Sequence, residues 1–133
     1  MKRVISAIIF TALVGLSLYG MEMSGSSSMF MGYLSDVMSA EYNNGVRSDG
    51  VNLKLNPEKQ TVKLMQQLPN SMSGYGIFIK NADNTYSFHR FDKNGTNLSK
   101  DLLKKTGKKA GITIHVMGKM KENIIYVESI QEM

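Results

Sequence analysis

The sequence contains no cysteine in its 133 residues, which excludes disulfides, thiol catalysis and cysteine-based zinc sites. Histidine is scarce as well, with two residues, so a zinc site made mainly of histidine is not expected within one chain. Tryptophan is absent, and no block of like charge is longer than a lysine pair. A formal net charge of +5 fits a soluble protein as well as a weak binder of anions.

Catalytic motifs are also missing from the sequence. It has no nucleophile elbow, no phosphate-binding loop and no zinc-protease helix. Acidic residues occur in the first predicted strand and the loop after it, but acids without a cleft do not define a catalytic pair. We therefore expect neither an enzyme nor a bound cofactor.

The N-terminus has the features of a secretory signal. Lys2 and Arg3 precede the apolar run VISAIIFTALVGLSLYG, which is slightly short for a membrane span. We predict a signal peptide over residues 1–20, with cleavage at a position up to about 28, and a flexible Met/Ser/Gly linker over 21–28. An uncleaved anchor is the alternative. The protein is then expected to be periplasmic or secreted, contacting the membrane only through the signal before cleavage.

Residues 29–133 are predicted to form a single, mainly β domain. Apolar alternation and turn residues predict strands over 29–40, 74–80, 85–91, 111–120 and 123–130. An insertion over 41–70 contains a loop and a helix that Asn56 caps and Pro69 ends, and a second helix spans 98–107 with Gly107 as its C-cap. Five strands with a helix between the third and fourth predict an OB-fold-like barrel, in which Gly118 would let one strand bend.

Two segments resemble a family of small exported bacterial OB-fold proteins. The tail ITIHVMGKMKENIIYVESI is similar to their last hairpin, and GYLSDVMSA is similar to a first strand of the form G-x-x-S-D-x-M-C-G. Ser39 and Ala40 occupy the positions of that cysteine and glycine, so this chain would be a cysteine-less variant. The resemblance implies the fold and export, but no defined biochemical activity.

The eleven methionines allow two interpretations. Core packing is the simpler one, because methionine fills irregular gaps, and it predicts no Cu(I) binding tighter than about micromolar. The alternative is a periplasmic Cu(I) or Ag(I) carrier, since thioether and imidazole ligands suit soft cations. Its ligands would be Met29, Met31, His115 and Met117, provided that the first and fourth strands pair with these faces aligned. The periplasmic copper and silver chaperones are similar small OB barrels with a His/Met site, but they also use a tryptophan that is absent here.

Aromatic residues on the second and third predicted strands suggest a ligand-binding face. OB-folds bind single strands and oligosaccharides there, and the candidate residues are Tyr75, Tyr86, Phe88 and Arg90. Nucleic acid is not the expected partner of an exported protein. We predict a non-enzymatic binding or envelope-accessory protein whose partner is a small ligand or an envelope protein, with single-stranded nucleic acid or oligosaccharide as alternatives.

One short stretch matches a modification motif. Asp92, Asn94 and Thr96 have the spacing of an acidic extended glycosylation sequon. These residues also form turns readily, and a turn over 92–97 is the prediction.

Overall fold

The computed structural model describes residues 27–133, so the predicted signal and most of the predicted linker lie outside the described residues. This part of the chain is mainly β with short helices. The strands are β1 (Ser28–Asp36), β2 (Tyr75–Lys80), β3 (Tyr86–Phe91), β4 (Thr113–Lys121) and β5 (Ile124–Glu132). The helices are α1 (Val37–Glu41), α2 (Val62–Gln66), α3 (Leu68–Ser73) and α4 (Lys93–Lys105).

The five strands form one sheet that closes on itself. Neighbours follow the order β1, β2, β3, β5, β4, and β4 pairs back with β1. Among these neighbouring pairs β3 and β5 are parallel, and the other four pairs are antiparallel. The first strand therefore pairs with the fourth, which is the condition that the Met/His alternative required. The β4–β5 register shifts between Met117 and Gly118, where the sequence predicted a bend.

The main core lies on the inner face of this sheet. Leu34, Ile77, Ile114 and Ile125 come from four different strands and are at most 1% exposed. From α4, Leu103 is buried in this core, and Leu98 and Leu102 pack against it. These three leucines fix one face of α4 on the sheet.

A second, smaller core lies on the outer face, beneath the insertion between α1 and α2. Phe78 and Leu53 are fully buried there, together with Ala40. The partly buried residues around them are Tyr33, Val51, Tyr86 and Phe88. The insertion therefore covers much of the aromatic face that the sequence suggested was open.

A chain of polar contacts fixes the insertion to the end of β1. Asp36 is fully buried and accepts a 2.7 Å hydrogen bond from the Gln60 side-chain amide. The Gln60 side-chain oxygen accepts a 3.0 Å bond from Arg47, which also pairs with Asp49. The Arg47 guanidinium lowers the pKa of the Asp49 carboxyl, first through their side-chain hydrogen bond. These acids therefore serve the fold.

Two aspartates change the predicted boundaries. The strand predicted over 29–40 ends at Asp36, whose carboxylate accepts the Ser39 N–H at 2.7 Å and starts α1. The turn predicted over 92–97 is wrong, because Asp92 caps Gly95 N at 3.0 Å and α4 begins at Lys93. The helix predicted over 98–107 thus begins five residues earlier. It ends at Lys105, with Thr106 rather than Gly107 as its C-cap.

The single helix predicted from Asn56 to Pro69 is replaced by three short pieces. Pro57–Lys59 forms a 3₁₀ turn without a side-chain cap from Asn56. Thr61 caps α2 instead, through a 3.1 Å bond from Leu64 N. Pro69 lies in the first turn of α3, so it begins a helix rather than ending one.

Candidate functional site

Four side chains with thioether or imidazole donors lie on the outer face of the β1–β4 pair. Met29 lies directly opposite Met117 in the antiparallel register. Met31 lies opposite His115, two residues further along. Because side chains two apart on a strand share a face, the two pairs form one patch. This Met/His patch is Met29, Met31, His115 and Met117.

The expectation that Met29 and Met31 pack in the core is wrong. Their side chains are 56% and 51% exposed, while the inner face of β1 is formed by Phe30 and Leu34. His115 and Met117 are partly exposed on β4, where they alternate with the buried Ile114 and Val116. By contrast Met65 is fully buried and does fill the core.

The donor chemistry of the patch selects soft cations. Thioethers carry no charge and bind hard cations poorly, whereas Cu(I) accepts them together with imidazole. Directly opposed residues have Cβ atoms about 5 Å apart, so the flexible methionine side chains of both strands can reach one ion. Between residues 27 and 133, no group of three or more His, Cys, Asp or Glu side chains could hold a metal ion.

Tyr75 is a core residue and does not reach the outer face. It is 1% exposed, and its hydroxyl donates a 2.7 Å hydrogen bond to the Met65 carbonyl. Burial, with a smaller effect of the Asp36 charge, raises the pKa of Tyr75 to about 12. Its predicted role in ligand binding does not fit this position.

The other predicted ligand-binding residues lie near one another on β3. Phe88 packs on the buried Phe78 with ring centroids 5.0 Å apart, and Tyr86 packs edge-on against Tyr33 at 5.9 Å. Each therefore exposes only part of its ring.

Arg90 forms an ion pair with Glu41 at the end of α1. The Arg90 Nε donates to the Glu41 carboxylate at 2.8 Å. This contact lowers the pKa of Glu41 and raises the pKa of Arg90. In both cases the side-chain hydrogen bond is the largest cause. Arg90 is thus engaged within the protein.

A groove of about 650 Å³ separates the insertion from the β2–β3 hairpin. We call it the polar groove. Its residues on the two sides include Asn44, Asn52 and Lys54 from the insertion and Thr85, Tyr86 and Phe88 from the hairpin. The two sides are joined where Tyr86 N donates to the Lys54 carbonyl at 2.8 Å. The insertion residues were missed in the sequence, where their Asn- and Gly-rich composition indicated only a loop.

Two further polar residues, His89 and Asn94, lie in environments that belong to the fold. His89 is partly buried, and this burial lowers the pKa of its imidazole. Asn94, in the sequon, lies in the first turn of α4 and donates a 2.8 Å bond to the Val127 carbonyl. The sequon thus occupies a capped helix start.

No helix within residues 27–133 is both long and apolar enough to cross a membrane. Comparison with protein-family models, curated proteins and solved structures gives no match to this chain. The assignment of function therefore depends on the geometry described above.

Proposed function

We propose that the chain is an exported, OB-fold-like binding protein without enzymatic activity. The strand order, the parallel β3–β5 pair and α4 between β3 and β4 support the OB-fold assignment. Lys2, Arg3 and the apolar run that follows them support export. Mass spectrometry of the native protein should find a new N-terminus between Met21 and Ser28, whereas an intact Met1 on a cytoplasmic protein would contradict export.

The ligand that the geometry supports best is Cu(I) or Ag(I), bound at the Met/His patch. The observation that carries this proposal is the β1–β4 register, which pairs Met29 with Met117 and Met31 with His115 on one face. Three thioethers and one imidazole provide more than the two or three soft ligands that such an ion requires. This proposal replaces the expectation, based on core packing, of binding no tighter than micromolar.

The exposure of the patch suits a carrier more than a storage site. Met29 and Met31 are about half exposed, so a partner protein can approach the ion and exchange ligands with it. Methionine ligation needs no deprotonation, which keeps three of the four donors available at any pH. The ion would thus be bound and handed on without chemical change.

Anaerobic competition against a chromophoric Cu(I) chelator tests this function. The protein should bind one Cu(I) with a Kd below about 1 µM, equivalent to about −8 kcal/mol. Met31→Leu and His115→Gln should each weaken binding at least about tenfold, since each removes one donor.

Met38→Leu and Met72→Leu are the matched controls, because both methionines are exposed but lie outside the patch. Neither control should change the Kd. Binding weaker than 1 µM, or an equal loss in the controls, would reject the Met/His patch as a Cu(I) site.

A further inference from the structure

Helix α3 carries apolar side chains that the domain does not cover. Leu68 and Met72 are 72% and 75% exposed, and their spacing of four residues places them on one face of the helix. Met38 is 41% exposed and belongs to α1, which contacts α3 where Met38 N donates to the Ser73 hydroxyl at 3.1 Å. We call Met38, Leu68 and Met72 the apolar tip. No residue of α3 is buried, so packing within the domain does not explain these side chains.

A basic groove lies beside the apolar tip, between α3 and α4. It has a volume of about 300 Å³, and its lining includes Ser71 from α3 and Lys100 and Lys104 from α4. Ser71 directly precedes Met72, so the groove adjoins the apolar tip. Both lysines are exposed, and neither forms an ion pair within residues 27–133. The described residues that line the groove include these two bases and no acid, so its charge is positive.

A bilayer that contains anionic lipid matches both features. Protein segments that lie on a membrane insert apolar side chains at the boundary between headgroups and acyl chains, while basic residues contact the anionic headgroups. Lysine suits this position because its aliphatic stem lies along apolar surface while the ammonium group extends to the phosphate. In α3 and α4, Leu68 and Met72 are the side chains placed for insertion, and Lys100 and Lys104 are placed for the headgroups.

Two other occupants of this surface fit less well. In a symmetric dimer the same surface of each copy faces the other, which brings two basic grooves together at a cost in free energy. A stable protein interface also buries about 800 Å² on each partner, which three apolar side chains do not supply. The residues before Ser27 enter the domain at the other end of β1, since Asp36 is the end that pairs with Tyr75 after α3.

From these observations we infer that the apolar tip and the basic groove dock the folded domain on a membrane surface rich in anionic phospholipid. This extends the membrane contact, which was expected only through the signal, to the folded domain. The surface shares no residue with the Met/His patch, so the two proposals stand or fall separately.

Co-sedimentation of the native protein with lipid vesicles tests this inference. The vesicles contain phosphatidylcholine with about one-third phosphatidylglycerol, which supplies the anionic headgroups. The protein should bind these vesicles, and added salt should weaken binding because it screens charges at the surface. No binding to the vesicles would overturn the proposal. Binding of soluble polyglutamate at the groove without binding to vesicles would also overturn it, because the partner would then be an acidic protein.

One pair of variants tests the apolar tip. Leu68→Ser combined with Met72→Ser should lower the vesicle partition coefficient at least about tenfold, because two inserted side chains are lost. Folding should not change, since both side chains are exposed. Leu55→Ser is the matched control, because Leu55 is 53% exposed but lies outside the apolar tip, and it should leave binding unchanged. Unchanged binding in the double variant, or an equal loss in the control, would overturn the proposal.

A second pair of variants tests the basic groove. Lys100→Gln combined with Lys104→Gln should also lower the partition coefficient at least about tenfold, because each lysine near an anionic surface contributes separately. Lys80→Gln combined with Lys121→Gln removes the same charge from exposed positions at the ends of β2 and β4 and should have little effect. Equal losses in the two double variants would show that only net charge matters, which would contradict a docking surface at α3 and α4.

Discussion

At the scale of single residues, Asp36 makes two hydrogen bonds from one buried position. One carboxylate oxygen caps α1 by accepting from Ser39 N, and the other accepts from the Gln60 amide, each at 2.7 Å. Ser35, beside it, is fully buried as well. Asp36 in GYLSDVMSA therefore joins β1, α1 and the insertion, which is a structural reason for this residue.

We predict that Asp36→Ala destabilises the fold by about 2–4 kcal/mol. About 1 kcal/mol comes from the lost helix cap, and about 1–3 kcal/mol comes from leaving the buried Gln60 amide without its acceptor. Urea unfolding followed by circular dichroism measures the change. Asp101→Ala, at an exposed position of α4, is the control and should stay within about 0.5 kcal/mol of the wild type. A similarly small effect of Asp36→Ala would refute the role assigned to this carboxylate.

The sequence predicted which donors share a face, but not which way that face points on β1. Met29, Phe30 and Met31 are all apolar, so alternation gives no distinction between inside and outside. Only the pairing of β1 with β4 decides it, because Phe30 lies opposite the buried Val116 and turns both methionines outward. On β4 the pattern is unambiguous, because the aliphatic Ile114 and Val116 on either side of His115 mark the inner face.

At the scale of elements, the β4–β5 hairpin depends on one glycine. A Cβ on Gly118 would overlap the Tyr126 carbonyl oxygen on the neighbouring strand. The register shift beside Gly118 bends β4 just after Met117. Met117 of the patch is therefore the residue directly before this bend.

We predict that Gly118→Ala costs roughly 1–3 kcal/mol, because the added methyl group must displace the backbone of β5. Thermal and urea unfolding give the change in stability. Gly107→Ala serves as the control, since a Cβ there meets nothing within 4 Å. If the two variants unfold alike, the close approach at Gly118 is not important for the hairpin.

Strands were predicted better than helices, for a physical reason. β4 alternates buried and partly exposed residues over most of its nine positions, and β2 is buried on both faces over residues 75–78; both an alternating pattern and a short continuous apolar run are readable in the sequence as strands. Helices α1 and α2 have five residues each, too short to be stable alone, and they depend on caps at Asp36 and Thr61 and on packing. Propensity therefore could not place them.

At the scale of the whole molecule, closure of the sheet and the insertion decide where ligands can bind. Closure brings β1 beside β4, although the two strands are far apart in the sequence. This pairing assembles the Met/His patch. The insertion covers Phe78 and leaves the polar groove along its edge. The four residues of the patch were grouped from the sequence only on the condition that the first and fourth strands pair. The groove did not follow from local pattern, because it depends on contacts between distant segments.

The most direct test of the Met/His patch follows every methionine at once. In protein labelled with ¹³C at the methionine methyl groups, Ag(I) is titrated as a redox-stable substitute for Cu(I). The signals of Met29, Met31 and Met117 should shift together and saturate at one Ag(I) per chain, while those of the exposed Met38 and Met72 stay in place. Equal shifts of all exposed methionines, or no shift at Met29, Met31 and Met117, would contradict the account.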